Sequence, residues 1–599
     1  MNRAILVPAI FLLACGPSVF AQAQHTPLLA DPPGRDTMSL DGTWQTIVDP
    51  YQTGAGMHVY ENRKPATKSD LVEYDFDKSP VLKVPGDWNS QRSDLLFYEG
   101  AVWYKKSFPW QKHPGRRVFL RFGAANYTAR VYLNGKELGT HEGGYTPFDF
   151  EVTGELADGD NFVVVEVNNT RQADGVPGIN TDWWNYGGLT RNVSLIEVPE
   201  TFIENFGVQL ARGSQSQIQA WVQINAAAGD KQNTQVTLEI PEAKLTKTAK
   251  TDANGRADFH FSAKVELWAP ENPKLYTVTV RSGDDSVTDE TGFRTVEVQG
   301  TKILLNGKPV FLRGMSMHDE AAFRGGRAYS EEDEKTLFSW AKELGCNFLR
   351  LAHYPHNENA PRLADKMGIL LWEEIPVYWN ISWENSATLA NAEEQMRELI
   401  ARDHNRASLI LLSLSNETPN TPARVEFLRK FAAFTREQDP TRLITSALNT
   451  AHRTQPGVMS LADPVGDFLD VLGINEYIGW YYGSPESADG LKWEINWQKP
   501  VIMSEFGAGA LAGYHADAET RFSEEYQVRV YEHQLPMLKA MPMLAGMSPW
   551  VLMDFRSPRR MLPGVQDYYN RKGLISDRGE KKKAFFVLQK FYKEMATDH

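Results

Sequence analysis

From about residue 40 to residue 198, apolar and polar residues alternate in many short runs, the pattern that half-buried β-strands produce. Turn signals such as Asn134-Gly135 separate the runs. So many short strands in one segment predict a jelly-roll β-sandwich over residues 25–199. Similar runs, such as QIQAWVQIN and LYTVTVRS, predict a smaller immunoglobulin-like β-sandwich over residues 200–297.

The pattern changes near Gly300, where strand-like and helix-like segments begin to alternate. The strand-like runs include PVFLRG, NFLRLAHY, ILLWEEIP, LILLSLSNE, LITSALN, FLDVLGINEY, VIMSEFG and SPWVLMDF. These are eight strands, the number that closes a (β/α)8 barrel. The sequence therefore predicts a C-terminal TIM barrel over residues 298–599, with the two sandwiches packed on it.

Two of the predicted barrel strands end in a glutamate. Glu417 ends the fourth run and Glu505 ends the seventh, and each follows a stretch too apolar to lie on a surface. The carboxyl ends of barrel strands meet at one face, where active sites form. Because a carboxylate at the end of a buried strand is costly unless it has a function, the pair predicts acid chemistry of the kind used by glycosidases.

The first 24 residues have the organisation of a secretory signal peptide, with Arg3 ahead of an apolar run and small residues up to Ala21. The apolar run is too short to span a bilayer, so no transmembrane segment is predicted. An alternative interpretation is a lipoprotein signal with Cys15 as the lipidated residue. Either way, the sequence predicts an exported protein that is periplasmic or secreted.

Charge and cysteine content exclude several classes of protein. The net charge of −13 and a pI near 5.6 argue against nucleic acid or an anionic membrane as a partner. Cys15 and Cys346 are the only cysteines in the sequence, so cleavage after Ala21 leaves no internal disulfide. No spacing of His and Cys resembles a zinc site, and we predict neither a metal nor a cofactor.

Longer motifs carry a resemblance that covers essentially the whole mature chain. They are GAVWYKKSF, HEGGYTPFDFEVT, ELIARDHNRASLILLSLSNE, INEYIGWY, SEFGAGALAGYH and SEEYQ. The chain resembles glycoside hydrolase family 2, whose members combine a jelly-roll domain, an immunoglobulin-like domain and a (β/α)8 barrel. The resemblance implies that Glu417 is the acid/base and Glu505 the nucleophile of a retaining hydrolase. The predicted partner is a carbohydrate.

The resemblance also implies residues that bind the sugar. Asn416, just before the acid/base, matches an asparagine that binds the sugar 2-hydroxyl. Asn475 and Tyr477 lie in the motif NEY, whose tyrosine is found beside the nucleophile. The other matching positions are His318 near the sugar, Asp182 from the jelly-roll domain, and Tyr481 and Trp550 as aromatic walls. The alternative for these four is a role in packing or in a surface loop.

The segment that indicates the substrate is NRK at positions 570–572. It is similar to the Asn-x-Lys motif of β-glucuronidases, in which the amide and the ammonium hold the sugar carboxylate, and it implies this role for Asn570 and Lys572. The sequence departs from several of those enzymes at Gln566, where they have an arginine. Arg559 or Arg560 are candidates to replace that cation.

The sequence thus predicts an exo-β-glucuronidase that removes a terminal β-linked glucuronic acid from oligosaccharides, polysaccharides or conjugates by two displacements. The alternatives are a β-galactosidase or β-galacturonidase on the same scaffold, or a carbohydrate-binding protein without catalysis. The loop from Pro376 to about Asn391 is short, which predicts an open leaving-group side. Whether the chain forms a homo-oligomer is left open.

Overall fold

The computed structural model describes residues 28–30, 34–70, 73–226 and 231–598. The predicted signal peptide at residues 1–24, and with it Cys15, lies outside the described residues. Within them the chain forms two β-sandwiches followed by a closed barrel of eight parallel strands.

The first sandwich packs a four-stranded sheet, in the order β1-β12-β5-β9, against a six-stranded sheet, in the order β3-β2-β4-β10-β7-β8. The alternation seen in the sequence sets its core: Val163, Val165 and Val167 of one strand face the other sheet. Its elements are β1 (Thr37–Ser39), β2 (Gly42–Asp49), β3 (Val81–Val84), α1 (Trp88–Gln91), β4 (Ala101–Trp110), β5 (Arg116–Phe122), β6 (Ala125–Asn126), β7 (Thr128–Leu133), β8 (Lys136–Glu142), β9 (Phe148–Glu151), β10 (Gly159–Asn168), β11 (Gly188–Leu189) and β12 (Val193–Pro199).

The second sandwich has a three-stranded sheet, β13-β14-β17, facing a four-stranded sheet, β16-β15-β18-β19. Its apolar residues form a core of their own. Its strands are β13 (Thr201–Leu210), β14 (Gln217–Ala226), β15 (Gln235–Ile240), β16 (Leu245–Lys250), β17 (Arg256–Ser262), β18 (Tyr276–Ser282) and β19 (Asp285–Thr291). Trp268 of this domain is fully buried against the barrel and donates a hydrogen bond to the carbonyl of Asp365 (2.9 Å).

A small antiparallel sheet of β20 (Val296–Gln299), β21 (Lys302–Leu305) and β22 (Lys308–Pro309) leads into the barrel. Apolar residues of this sheet share a core with Leu312 and Phe348, which lie at the starts of the first two barrel strands. The sheet therefore covers the amino-terminal end of the barrel. The carboxyl ends of the strands, at the opposite end, are left for the site.

The barrel closes in the order β23-β24-β25-β26-β27-β30-β32-β33. Its eight strands are β23 (Leu312–Met317), β24 (Phe348–Leu351), β25 (Leu370–Glu374), β26 (Leu409–Asn416), β27 (Leu443–Leu448), β30 (Leu472–Asn475), β32 (Val501–Glu505) and β33 (Leu544–Met547). The helices are α2 (Glu331–Leu344), α3 (Asn359–Met367), α4 (Ser386–Asp403), α5 (Pro422–Gln438), α6 (Glu524–Lys539) and α7 (Lys583–Asp598). The predicted fold class is confirmed.

The fifth and sixth crossovers, within the described segment 449–500, contain no α-helix. They consist of short 3-10 turns and a side sheet of β28 (His452–Gln455), β29 (Val458–Leu461) and β31 (Lys492–Ile495). Gly, Pro, Asp and Ser are frequent in this segment, and these residues favour turns over helices. The regular alternation of strand and helix that the sequence predicts is therefore interrupted here.

The eighth strand lies earlier in the chain than the pattern predicts. It is Leu544–Met547, and Trp550 comes three residues after its end instead of lying on it. Gly546 occupies the strand because a Cβ there would come within 2.5 Å of Leu312 Cβ on the first strand. The longer apolar run SPWVLMDF begins directly after this strand and belongs to the loop that follows it at the carboxyl end of the barrel.

Candidate active site

The two glutamates at the ends of the fourth and seventh strands line one cavity. Glu417 directly follows β26, and Glu505 is the last residue of β32. Both lie at the carboxyl end of the barrel and line a cavity of about 420 Å³. Glu417 takes a positive φ of 52°, a conformation that is uncommon for residues other than glycine. The strand ends thus place the carboxylates of Glu417 and Glu505 in the same cavity.

Glu505 is held by two strong donors. The buried guanidinium of Arg350 donates to Glu505 Oε1 (2.9 Å), and the hydroxyl of Tyr477 donates to Glu505 Oε2 (2.7 Å). Both oxygens of the carboxylate are therefore fixed in direction, and only 4% of the residue is exposed. A nucleophile has to be held in this way to attack a sugar carbon from one defined side.

Glu417 lies in an environment that favours its protonated form. Burial raises the pKa of this carboxyl, and the negative charge of Glu505 raises it further. Two hydrogen bonds act in the opposite direction: Asn475 Nδ2 donates to Oε1 (3.0 Å) and Trp379 Nε1 donates to Oε2 (2.9 Å). The net shift is upward, as a group that must donate a proton near neutral pH requires.

Arg350 connects Glu505 to a second, deeper carboxylate. Its guanidinium donates twice to Glu374 (3.0 and 3.1 Å) and once to Asn416 Oδ1 (2.7 Å). Burial alone would raise the pKa of Glu374, but Arg350 and the His353 ring lower it to about 2. Glu374 is therefore ionised at neutral pH and balances the positive charge of Arg350. The arginine in turn positions Glu505.

The other end of the cavity is cationic. Lys572 Nζ donates to Tyr481 Oη (2.7 Å), and Arg560 Nη2 donates to the same oxygen (3.2 Å). Burial would raise the pKa of Tyr481, but these two cations lower it overall. The Lys572 ammonium also lies over the rings of Tyr477 and Tyr481, 5.2 and 4.7 Å from their centroids. This end is suited to an anionic group on a ligand.

Asp182 reaches this end from the first sandwich. Its carboxylate accepts from Arg560, from Ser557 Oγ (2.7 Å) and from Asn570 Nδ2 (3.2 Å). The Asn570 side chain is buried, and its Oδ1 accepts from the backbone N–H of Lys572 (3.2 Å). Both ends of the Asn570 amide are therefore engaged within the protein, where they orient Asp182 and Lys572.

The structure brings most of the predicted site residues together. Of the predicted residues, those that line the cavity are Asp182, Glu417, Asn475, Tyr477, Tyr481, Glu505, Trp550 and Lys572. Asn416, His318 and Asn570 lie behind that lining. The His318 ring stacks on Phe555 with centroids 3.9 Å apart, contacts the edge of Trp550 at 5.3 Å and shares a hydrogen bond with Tyr354 Oη (2.9 Å). In this arrangement His318 supports Trp550 and does not contact the cavity.

Gln566 and the two candidate arginines occupy different places. Gln566 is absent from the cavity lining, whereas Arg559 and Arg560 both belong to it. Arg560 and Lys572 donate to the same oxygen, Tyr481 Oη, so Arg560 places a second cation at this end of the cavity. Gln566 supplies none. Arg559 lies over the ring of Trp379, 4.6 Å from its centroid.

Sequence reasoning missed Arg350, His353, Glu374 and Trp379, which contact the two glutamates or their partners, and other residues of the cavity lining such as Glu476. The first three belong to or directly follow apolar strands, where an isolated charged residue is a signal that can be recognised. Trp379 lies in the loop after β25, and nothing in the surrounding sequence indicates that its ring N–H meets Glu417. The His353 ring stacks on Trp550, with centroids 4.7 Å apart.

Replacing Trp379 with phenylalanine should move the alkaline limb of the kcat/KM profile to higher pH. The Trp379 N–H stabilises the ionised form of Glu417 and lowers its pKa, so its loss raises that pKa and the protonated acid persists further into the alkaline range. Trp383→Phe is the matched control, since that indole donates to Asn380 (3.0 Å) instead. An alkaline limb that stays in place or moves down in Trp379→Phe would contradict the assignment of Glu417 as the acid.

Two further features bear on cofactors and membranes. Among the described residues, no cluster of three or more His, Cys, Asp or Glu side chains is arranged to hold a metal ion. None of the helices in that part of the chain is long and apolar enough to cross a membrane.

Comparisons with known proteins agree with this geometry. Sequence models of glycosyl hydrolases family 2 match residues 37–199 (sugar binding domain), 201–294 and 296–597 (TIM barrel domain). The chain is 30% identical to a β-glucuronidase of Canis lupus familiaris, over 94% of this chain and 92% of the relative. A β-glucuronidase structure from an uncultured Clostridium sp. has a TM-score of 0.82 at 26% identity, covering 95% of this chain and all of the other. A Ruminococcus gnavus β-glucuronidase in complex with D-glucuronic acid has a TM-score of 0.81 at 25% identity, with the same coverage.

Proposed function

The chain belongs to glycoside hydrolase family 2, and we propose that it is a retaining exo-β-glucuronidase that hydrolyses terminal β-linked glucuronic acid. One observation carries the assignment of substrate: the cavity that holds the two catalytic glutamates ends in Lys572, whose ammonium faces the cavity beside Tyr481. A uronate carboxylate placed there forms an ion-paired hydrogen bond with the ammonium, whereas the hydroxymethyl group of a neutral sugar carries no charge to pair with it. The β-glucuronidases among the relatives support the same assignment.

The reaction takes two displacements at the anomeric carbon. In the first, Glu505 attacks that carbon, the bond to the leaving oxygen breaks, and protonated Glu417 gives its proton to that oxygen. The product is a glycosyl ester on Glu505. In the second, water attacks the same carbon, Glu417 accepts its proton, and Glu505 leaves as a carboxylate. Two inversions retain the β-configuration of the sugar.

The surrounding residues serve these steps in different ways. Tyr477 and Arg350 direct the two oxygens of Glu505 toward the anomeric carbon. Raising the pKa of Glu417 by burial and by the charge of Glu505 keeps the acid protonated until Glu505 is consumed in the ester. The negative charge of Glu505 is then lost, so the pKa of Glu417 falls and it becomes the base that the second step needs.

The rival activities predict different substrate profiles. A β-galactosidase would prefer a neutral sugar, and a β-galacturonidase would share the need for Lys572 while favouring the other configuration at C4. Both glutamates are present in one cavity with the environment that catalysis requires, which is the observation against a binding protein without activity. We therefore expect 4-nitrophenyl β-glucuronide to be hydrolysed faster than the matching β-galactoside and β-galacturonide.

Lys572→Ala should reduce kcat/KM for the glucuronide by roughly tenfold to a hundredfold, since a hydrogen bond to a charged group contributes about 1.5–3 kcal/mol. Hydrolysis of the neutral β-glucoside should change little, because that sugar has no carboxylate for the lysine to hold. Lys590→Ala, at an exposed position on α7, is the control. If both substrates lost activity together in Lys572→Ala, Lys572 would be structural; if the wild type preferred the galactoside, the glucuronidase assignment would fail.

We also propose that the protein is exported. The composition of residues 1–24, with Arg3 before an apolar run and small residues up to Ala21, supports this proposal. Cleavage after Ala21 and lipidation at Cys15 give mature chains with different first residues. Identifying the first residue of the protein recovered from the cell envelope distinguishes them: Gln22 indicates cleavage after Ala21, and a modified Cys15 indicates lipidation.

A further inference from the structure

The cationic side chains of the cavity differ in whether the protein neutralises them. Arg350 is paired with Glu374 and Glu505, and Arg560 is paired with Asp182. Lys572 and Arg559 line the cavity without a carboxylate partner among the described residues. Lys572 is assigned above to the carboxylate of the sugar. Arg559 is left as a cation of the lining that has no carboxylate partner in the part of the chain that the structure describes.

Arg559 lies on the side of the cavity that belongs to the acid/base. Its guanidinium is 4.6 Å from the centroid of the Trp379 ring, and the N–H of that ring donates to Glu417 Oε2 (2.9 Å). Lys572 instead lies over Tyr477, whose hydroxyl binds the nucleophile Glu505. Each catalytic carboxylate is thus joined through one aromatic side chain to one cation, Glu505 to Lys572 and Glu417 to Arg559.

The chemistry of the two steps assigns a different part of the substrate to each cation. The acid/base gives its proton to the leaving oxygen, so the leaving group lies on the side of Glu417. Arg559 comes from the loop between β34 (Phe555–Arg556) and β35 (Tyr569–Asn570), and Trp379 comes from the segment after β25. The two loops meet beside Glu417, where the exposed guanidinium of Arg559 lies over the ring of Trp379.

We propose that Arg559 and Trp379 form a subsite for a leaving group that carries an anionic substituent, a carboxylate or a sulfate, on its first residue. This inference rests on the proposed glucuronidase function. Trp379 holds the Arg559 guanidinium through a cation–π contact beside Glu417. Arg559 supplies donors whose planar arrangement matches a carboxylate or a sulfate. The natural substrate is then an acidic glycan in which the residue next to the terminal glucuronic acid is itself charged.

The test compares leaving groups of the same shape and different charge. The substrates are 4-carboxyphenyl and 4-carbamoylphenyl β-glucuronide, with 4-sulfophenyl β-glucuronide as a third arm. Its sulfonate stands in for a sulfate and separates a preference for that group from a preference for a carboxylate. The wild type should hydrolyse one or both anionic substrates with a higher kcat/KM than the carbamoyl compound. The advantage should shrink as salt is added, because the ion pair is exposed.

Arg559→Gln should lower kcat/KM for the preferred anionic leaving group about three- to fivefold, the range expected of a solvent-exposed ion pair, and change the carbamoyl substrate less than twofold. Arg559→Lys should keep part of the preference because the charge remains. Arg578→Gln, at an exposed arginine outside the cavity lining, should have no effect on either substrate. An equal fall for charged and neutral leaving groups, or a wild type without preference, would overturn the inference while the glucuronidase assignment stands.

Failure of the proposed function has a separate signature. If none of the aryl glucuronides were hydrolysed and the aryl galactosides were, the function would be wrong. The same comparison of carboxyphenyl and carbamoylphenyl leaving groups on the galactosides would then decide the role of Arg559 independently.

Discussion

Glu505→Ala should lower kcat on every glucuronide by at least about ten-thousandfold, because the glycosyl ester can no longer form. Glu417→Ala should lose a comparable amount of activity only on substrates with poor leaving groups. On 2,4-dinitrophenyl β-glucuronide, which needs no proton to depart, the first step should survive and the ester should accumulate as a burst of released phenol. Steady-state and burst kinetics on the two kinds of leaving group measure the difference.

Two observations check the assignment of these roles. Glu476→Gln is the matched control: this glutamate also lines the cavity, and burial raises its pKa to about 8, so the amide resembles the protonated acid already present near neutral pH. We expect that variant to retain most of its activity. Proton NMR of the first-formed sugar should show the β-anomer, and an initial α-anomer would refute the double displacement.

Arg350→Met should lower both stability and activity strongly. The guanidinium is fully buried and bonds Glu374, Glu505 and Asn416, so its loss leaves two buried carboxylates without their cation. Breaking a buried ion pair from one side costs about 3–5 kcal/mol, which thermal unfolding should show as a lower midpoint. Since Glu505 also loses one of its two donors, kcat should fall by at least about a hundredfold.

The pH dependence of that destabilisation has a defined sign. In the wild type the pKa of Glu374 is lowered to about 2 from 4.5, so the ionised carboxylate contributes stability above pH 4.5 that is lost as the pH falls through 2. Without Arg350 the effect of burial is no longer offset, so the pKa of Glu374 in the folded variant is higher than in the wild type. The difference in stability between wild type and Arg350→Met should therefore be full above that higher pKa and narrow as the pH falls toward 2. Arg350→Met with Glu374→Gln should recover part of the stability and none of the activity.

A surface arginine gives the contrast for this result. Arg436 pairs with Asp470 at 2.8 Å, but both side chains are partly exposed to solvent. Arg436→Met should cost less than about 1 kcal/mol. Equal losses in Arg436→Met and Arg350→Met would show that the buried network does not hold the site.

Much of this architecture follows from short-range patterns. Alternation over residues 40–198 predicts the first sandwich, because one face of each strand is buried and the other faces solvent or the second sheet. Glu417 and Glu505 could be found because an acid after a buried strand is costly and therefore rare. Their convergence follows once the number of strands closes a barrel, since every strand then ends at the same rim.

Other features depend on contacts that no local pattern contains. Leu544–Met547 is too short and too rich in small residues to compete with the apolar run that follows, so the eighth strand is recognised only by its pairing with β23 and β32. Arg559 and Arg560 look equivalent in the sequence, and only the loop geometry decides that Arg560 pairs with Asp182 whereas Arg559 lies over Trp379. Long-range register and loop direction are what the sequence leaves undetermined.

The contact between Asp182 and Arg560 joins two parts of the chain that fold around separate cores. Without the first sandwich, Arg560 and Lys572 would face each other across Tyr481 with no opposing charge. Docking of the sandwich and occupation of the cavity by an anionic sugar both relieve that repulsion. Because the two anions offset the same positive charge, each reduces the electrostatic gain from the other: docking of Asp182 lowers the charge that attracts the uronate, and a bound uronate lowers the gain from docking Asp182.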